Sequence, residues 1–431
     1  MKKIKSLLLA VAGITTAIAP VAAISCGQKD WSFITEVKLN DRVTKEVVED
    51  PAKPALRAIV VTDAGHVTDK SFNQSSYEGL LKYEYQVREL TGAASAGSKM
   101  EPETGKYESA YSSLLGKYDI WILSGFTHKE KIEAFIKSHK AEMIAKKVKV
   151  IGVDFTINPD NLDGFADFYG LEFKVAESAY IVGKAVAEFI STDDSFAYKR
   201  NTTSFGGGEF DGVVDFIKGY YRGIVKYNST VSEADKKVRA TQTAIDLATG
   251  FEPNDAMKNV IEKSLATKPT VILPVAGPAT TLTLGKIKSS SELEGIDVIG
   301  VDTDQSKISK NFAGKFYTSI TKNISQAVYD TIIYITYGID TKGLFTAKEP
   351  TKSFNIKGDF KQGWVGYAKS TLKDEAKRAK LNELLAKSET EFRALSNEDI
   401  NFISSYKLNS TDSDDMALKA LVQALAAEMN K

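Results

Sequence analysis

The sequence has few of the residues on which metal sites and disulfides depend. It holds one cysteine, Cys26, and three histidines among 431 residues. A zinc site of clustered Cys and His side chains, or a disulfide within one chain, is therefore not expected. Lys plus Arg and Asp plus Glu both number 56, so the formal net charge is zero. Because no excess of positive charge is available to attract polyanions, we expect no nucleic-acid partner.

The usual catalytic signatures are also missing. The chain has neither a G-x-S-x-G nucleophile elbow nor an H-E-x-x-H zinc motif. The segment 92–99 (GAASAGSK) differs from a P-loop by placing Ser before Lys, and it does not follow a predicted strand. Gly206–Gly208 follows a predicted strand but lacks the G-x-G-x-x-G spacing of dinucleotide-binding turns. We therefore predict no enzyme activity, no catalytic residue, no cofactor and no metal.

The N-terminus has the pattern of an export signal followed by a lipid-attachment site. Three lysines within the first five residues precede an uncharged apolar stretch over 7–24, and we assign 1–25 to a signal peptide. The block 23–26 (AISC) resembles a bacterial lipobox, in which the cysteine is lipidated and becomes the first mature residue. Acyl chains on Cys26 would hold the protein on the extracytoplasmic face of the cell membrane. The alternative is an uncleaved transmembrane anchor.

The remaining chain has the composition of a soluble globular protein, with 43% hydrophobic residues. Short apolar runs such as 58–62 (AIVVT) alternate with amphipathic helical patterns, which predicts an α/β fold with parallel strands. The number of strands favours two Rossmann-like lobes over one very wide sheet. We predict the following division: a tether over 26–53, lobe 1 over 54–170 plus 303–321, lobe 2 over 171–302 plus 322–350, and a mostly helical C-terminal extension over 351–431.

Three carboxylates directly follow predicted strands. Asp63, Asp154 and Asp302 come after the apolar runs that end at 62, 153 and 301. Ligands of open α/β sheets bind at the carboxyl edge of the strands, so these side chains are candidates for one shared site between the lobes. Each aspartate taken alone could equally be a helix cap. Their recurrence in both halves favours a site for a polyhydroxyl or amine ligand.

Several segments resemble one bacterial family. The block 60–80 (VVTDAGHVTDKSFNQSSYEGL) is similar to the N-terminal signature of the basic membrane protein family, and further matches follow in order at 169–189, 271–281, 298–305 and 318–330. Members of this family are lipoproteins related to purine nucleoside receptors and serve ABC transporters as substrate-binding subunits. The resemblance implies a periplasmic-binding-protein type I fold, a nucleoside ligand and an ABC permease as partner. We expect the protein to be a monomer.

The resemblance also implies the residues of the site. Phe72 and Phe251 would stack on the two faces of the base, and Lys322 would bond the ribose or a carboxylate beside it. Without the family, Phe72 could be a core residue and Lys322 an ordinary surface lysine. The full set of implied ligand-binding residues is Asp63, Phe72, Asn73, Ser124, Asp154, Phe251, Gly277, Asp302 and Lys322.

Other functions remain open at this point. The chain could be a surface antigen or adhesin that keeps the fold without a transport ligand, or it could bind a sugar or another small molecule. An enzyme that modifies sugars with two of the aspartates would need a carboxylate pair a few ångströms apart with water between them.

Overall fold

The structure is a computed structural model. It describes residues 33–431 except 64, 70, 94–96, 104, 197–198, 308–310 and 341. The predicted signal peptide and Cys26 lie outside the described residues. None of the described helices is both long and apolar enough to cross a membrane.

Lobe 1 is built on a six-stranded parallel sheet. Its central strands are short runs of β-branched and aromatic residues that are buried on both faces, as parallel strands between helices require. The strands are β1 (Ala58–Thr62), β2 (Lys99–Met100), β3 (Ile120–Ser124), β4 (Lys149–Val153), β5 (Phe168–Phe173) and β11 (Phe354–Gly358). Their spatial order is β11-β5-β4-β3-β1-β2.

Lobe 2 repeats this arrangement with a second six-stranded sheet. The strands are β6 (Asn201–Gly206), β7 (Arg239–Ala240), β8 (Val271–Val275), β9 (Asp297–Asp302), β10 (Phe316–Lys322) and β12 (Val365–Tyr367). Their spatial order is β12-β10-β9-β8-β6-β7. The edge strand β12 runs antiparallel to β10, and the other pairs are parallel. The two-lobed α/β fold predicted from the sequence is confirmed.

Helices cover the faces of both sheets. In lobe 1 they are α1 (Lys45–Val48), α2 (Phe72–Thr91), α3 (Tyr107–Leu114), α4 (His128–Ala145) and α9 (Ile324–Tyr337). In lobe 2 they are α5 (Val175–Thr192), α6 (Asp211–Asn228), α7 (Asp255–Ala266) and α8 (Ala279–Lys288). The C-terminal helices α10 (Glu375–Arg393), α11 (Asn397–Ser404) and α12 (Leu418–Met429) pack on α5 and α6. The helices therefore add a further layer to lobe 2.

The predicted division of 303–350 between the lobes is wrong. Strand β10 pairs with β9, so the end of 303–321 lies in lobe 2. Helix α9 packs on α2, so the segment after Lys322 returns to lobe 1. The chain thus crosses between the lobes after β5, after β10, and between β11 and β12. An apolar strand can extend the edge of either sheet, and pairing alone decides which one it joins.

The two segments that flank the predicted lobes are parts of those lobes, which was not predicted. From Phe33 the predicted tether packs on lobe 1, where Glu78 accepts hydrogen bonds from the Ile34 and Thr35 amides at 2.9 Å. The Asn40 amide donates to the Tyr329 hydroxyl at 2.7 Å. The predicted C-terminal extension is helical over α10 to α12, but it also supplies β11 and β12 to the two sheets. The extension is therefore part of both lobes.

Candidate ligand-binding cleft

A cavity of about 570 Å³ lies between the lobes, at the carboxyl ends of both sets of strands. This volume is within the range of small-molecule sites, roughly 300–1,000 Å³. Eight of the nine residues that the sequence analysis assigned to ligand binding line it. They are Asp63, Phe72, Asn73, Asp154, Phe251, Gly277, Asp302 and Lys322. Their roles toward a ligand stay predictions.

Asp154 and Asp302 occupy corresponding positions in the two lobes. Asp154 directly follows β4, and Asp302 is the last residue of β9. Both have left-handed backbone conformations, with φ of 65° and 64°. For a residue other than glycine this conformation costs roughly 1–2 kcal/mol, although aspartate tolerates it better than most. The same strained turn thus places one carboxylate from each sheet in the cleft.

Lys322 joins these two carboxylates. Its ammonium nitrogen lies 3.0 Å from Asp154 Oδ2 and 3.8 Å from Asp302 Oδ1. It also donates to the carbonyl oxygen of Gly212 at 3.2 Å. Because Lys322 ends β10 of lobe 2 and Asp154 belongs to lobe 1, this ion pair spans the cleft. Of the two roles that the resemblance implied for Lys322, the structure shows contact with neighbouring carboxylates.

Burial and charge shift the ionisation of this group in opposite directions. Burial raises the pKa of the Asp302 carboxyl, and Lys322 offsets part of that rise while Asp154 adds to it. Burial alone would lower the pKa of Lys322, but the attraction of Asp154 and Asp302 outweighs it and raises the pKa above its ordinary value. Lys322 is therefore a cation at neutral pH. A ligand entering the cleft meets a fixed positive charge between two carboxyl groups.

The start of α2 holds a second polar group in lobe 1. Asp69 accepts hydrogen bonds from the backbone amides of Ser71, Asn73 and Gln74 at 2.8–3.1 Å and thereby organises the first turn of the helix. The Asn73 side-chain amide donates to Asp69 at 3.1 Å and to Asp63 at 3.3 Å. The carbonyl oxygen of the Asn73 side chain is buried without a hydrogen-bond partner among the described residues. A donor on a ligand could satisfy that oxygen.

Aromatic rings from both lobes complete the walls. Phe72 begins α2 in lobe 1, and Phe251 lies in the loop between β7 and α7 of lobe 2. Three further phenylalanines line the cavity that sequence analysis did not single out: Phe126, Phe210 and Phe216. Phe126 and Phe210 each follow a glycine-containing turn at the end of a strand, and that placement is the signal that could have found them. The cleft thus offers flat apolar faces beside its carboxylates.

Ser124 is the one predicted residue that the structure does not place in the cleft. It is fully buried at the end of β3, where its hydroxyl lies 2.8 Å from the Ser76 hydroxyl of α2. Successive side chains of a strand point to opposite faces, so a residue at a strand end can face the core as readily as the ligand. Gln305, which was not predicted, does line the cavity and donates to the Gly277 carbonyl oxygen at 3.3 Å.

The arrangement is that of a two-lobed binding protein, with the ligand site between the lobes. Residues 56–343 match the Bmp family, described as "ABC transporter substrate-binding protein PnrA-like". The match covers well over half of the chain, and the protein belongs to this family of ABC transporter substrate-binding proteins.

The chain is also similar to two characterised relatives, and it shares its fold with a solved structure. The chain is 27% identical over 288 residues to the ABC transporter nucleoside-binding protein BmpA of Lactococcus lactis, which covers 65% of this chain and 72% of the relative. It is 23% identical over 290 residues to a CD4+ T-cell-stimulating antigen of Listeria innocua, with 65% and 73% covered. A solved ABC transporter solute-binding protein from Aeropyrum pernix shares the fold, with a TM-score of 0.60, 17% identity, and coverage of 87% and 98%.

Proposed function

We propose that this substrate-binding protein captures a nucleoside, with a purine favoured, and passes it to the permease of an ABC importer. The observation that carries the proposal is one cavity in which aromatic rings and carboxylates from both lobes face the same space. A nucleoside presents a flat apolar base and a ribose diol, and these two parts need the two kinds of partner. The relative from Lactococcus lactis is itself named as a nucleoside-binding protein.

The roles within the site divide by chemistry. Phe72 and Phe251 would stack on the base, and stacking contributes roughly 1–3 kcal/mol per base with little dependence on base identity. Asp302 would accept hydrogen bonds from the ribose hydroxyls, and bonds to a charged group are worth about 1.5–3 kcal/mol. The side-chain oxygen of Asn73, which has no partner in the part of the chain that the structure describes, would accept an N–H of the base.

Isothermal titration of adenosine, guanosine, inosine and the corresponding free bases tests this division. We expect Phe72→Ala to weaken all three nucleosides by similar factors. Asp302→Ala should weaken every nucleoside by about 10- to 100-fold and change free-base binding little. If Asp302→Ala binds nucleosides as well as the wild type, the ribose lies elsewhere. If mass spectrometry of denatured protein finds a sugar and no nucleoside binds, the nucleoside proposal is wrong.

The proposed location is the extracytoplasmic face of the cell membrane, with Cys26 lipidated. Support comes from the signal-like segment and from the lone cysteine that follows it. Metabolic labelling with palmitate should tag the protein, and Cys26→Ser should abolish both the label and membrane retention. A labelled, membrane-bound Cys26→Ser protein would contradict the lipid anchor.

A further inference from the structure

Three phenylalanine rings meet across the opening of the cleft. Phe126 follows β3 of lobe 1, whereas Phe210 precedes α6 and Phe251 lies in the loop before α7, both in lobe 2. The Phe126 ring centroid lies 4.8 Å from that of Phe210 and 6.0 Å from that of Phe251. The two rings of lobe 2 lie 5.7 Å apart. The lobes thus touch each other directly through aromatic side chains.

The position of these rings is at the boundary between cavity and solvent. All three line the cavity, yet Phe126 is 40% exposed and Phe251 is 39% exposed. Phe126 and Phe251 are among the few large hydrophobic side chains of the described residues that are more than a third exposed. A ligand that passed between cavity and solvent on this side would have to part Phe126 from the rings of lobe 2.

The glycine run 206–208 makes room for two of the rings. A Cβ atom on Gly207 would lie 2.4 Å from Phe251 Cε1, and one on Gly208 would lie 2.6 Å from Phe210 Cε1. Both distances are far below van der Waals contact, so any larger residue would displace a ring. This run lacks the G-x-G-x-x-G spacing of dinucleotide-binding turns. Its glycines instead let the two phenylalanine rings approach the turn after β6 closely.

We propose that Phe126, Phe210 and Phe251 form an aromatic gate that fastens lobe 1 to lobe 2 and sets the rate of ligand release. The gate is a contact between protein side chains, so it stabilises the closed lobes whether or not a ligand is bound. Aromatic pairs contribute an amount that corresponds to about 2- to 10-fold in an equilibrium or rate constant. The gate proposal depends on the proposed function only in its choice of a nucleoside as the ligand that is released.

Dissociation kinetics give the first test. Stopped-flow release of bound inosine into excess competitor should accelerate about 2- to 10-fold in Phe126→Ala and in Phe210→Ala. The double variant should accelerate by less than the product of the two single effects, because both substitutions remove the same contact. Tyr85→Ala, an equally exposed aromatic change on α2 outside the cavity, should leave the rate unchanged. If the acceleration in the double variant equals the product of the two single accelerations, the two rings act independently and the gate proposal is wrong.

A second measurement needs no ligand. Spin labels are placed on cysteines introduced at Lys131 of lobe 1 and Lys263 of lobe 2, both exposed, in the full chain carrying Cys26→Ser in detergent. In ligand-free protein, Phe126→Ala should shift the distance distribution toward a more open form. An unchanged distribution would overturn the gate even if nucleosides bind. A shifted distribution in a protein that binds no nucleoside would instead leave the gate standing and contradict the proposed function.

Discussion

Two buried lysines meet at helix α6, where Lys218 is a residue of the helix and Lys322 donates to the Gly212 carbonyl oxygen of its first turn, and their surroundings differ. Lys322 is 4% exposed and Lys218 is completely buried. Lys322 faces an open cavity and two carboxylates from different lobes, and the attraction of those carboxylates outweighs burial and raises its pKa. Lys218 is sealed beneath the C-terminal helices, and there burial prevails and lowers its pKa despite the nearby Asp215.

Lys218 attaches the C-terminal extension to α6. Its ammonium nitrogen lies 2.6 Å from Asp215 Oδ1, donates to the Ser404 carbonyl oxygen at 2.8 Å, and lies 3.7 Å from the centre of the Tyr406 ring. Arg222, one turn further along α6, donates to the Ile403 carbonyl oxygen at 2.8 Å. These residues attach the extension, which lies beyond the part of the chain matched by the family, to the helix whose first turn lines the cleft.

The difference suggests a general distinction between the two kinds of buried charge. A lysine that borders a cavity can exchange a protein partner for a ligand, because the groups that lose it can turn to water or to that ligand. A lysine enclosed on every side has no such exchange, so its removal leaves an uncompensated charge. A lysine at a cavity therefore affects ligand binding, and an enclosed lysine affects the stability of the fold.

The largest expected effect is on stability, from Lys218→Met. The substitution leaves Asp215 buried, with Lys357 at 3.9 Å and the Tyr406 hydroxyl at 2.9 Å as its remaining partners. We expect the free energy of unfolding in urea to fall by about 3–5 kcal/mol. Lys184→Met is the matched control, because Lys184 also links lobe 2 to the extension, through Glu391, but at a partly exposed site. It should cost no more than about 1 kcal/mol. Equal losses in the free energy of unfolding in the two variants would show that enclosure of the lysine does not decide its effect on stability.

The next largest effect is on affinity, from Lys322→Met. Loss of a charge-assisted contact should weaken nucleoside binding by about 10- to 100-fold in isothermal titration. The free energy of unfolding should fall by less than in Lys218→Met, since Asp154 and Asp302 border the cavity and are not enclosed on every side. Lys307→Met, on an exposed lysine of lobe 2, should change neither quantity. If Lys322→Met loses as much stability as Lys218→Met and keeps its affinity, Lys322 acts in stability and not in binding, contrary to the distinction drawn here.

The third expected effect concerns Glu177, a buried carboxyl group that contacts no cation among the described residues. Its Oε2 accepts a hydrogen bond from the Phe360 amide at 2.9 Å, and its Oε1 has no partner among the described residues. It lies where α5 begins, beside the segment that crosses between β11 and β12. Burial raises its pKa to about 7, with Asp359 adding to the rise and Lys174 and the Phe360 amide opposing it.

Glu177 should therefore make the protein less stable as pH rises. Between its ordinary pKa of 4.5 and about 7, the folded protein keeps a proton that the unfolded chain has lost. The stability contribution is thus complete below the ordinary value and is lost as pH rises through the folded pKa, at up to about 1.4 kcal/mol per pH unit. Denaturation at pH 5 to 8 should show that Glu177→Gln lacks this loss, whereas the surface change Glu398→Gln keeps it. A constant difference between Glu177→Gln and wild type would contradict the assignment.

The carboxylates at the strand ends were predictable from the sequence, whereas most of the aromatic rings of the cleft were not predicted. Asp154 and Asp302 could be predicted because a short β-branched run that ends in a polar residue is a local pattern. Phe126 and Phe210 were missed although each follows a glycine-containing turn at a strand end, because their contact joins two distant segments of the chain. Ser124 was predicted in the site and does not line the cleft. Its strand was predicted correctly, but its side chain contacts Ser76 of α2.

By itself the sequence determined the class of fold, the carboxyl edge at which the site lies, and the membership in a family, because these depend on short-range patterns of apolar, polar and turn residues. Only the tertiary structure decided which sheet β10 and α9 join, how the extension is fastened, and which residues from opposite lobes meet. Those outcomes depend on pairing between segments far apart in the chain. A strand or a charged side chain has the same local pattern whichever partner it finds, so its partner is settled by the packing of the whole molecule.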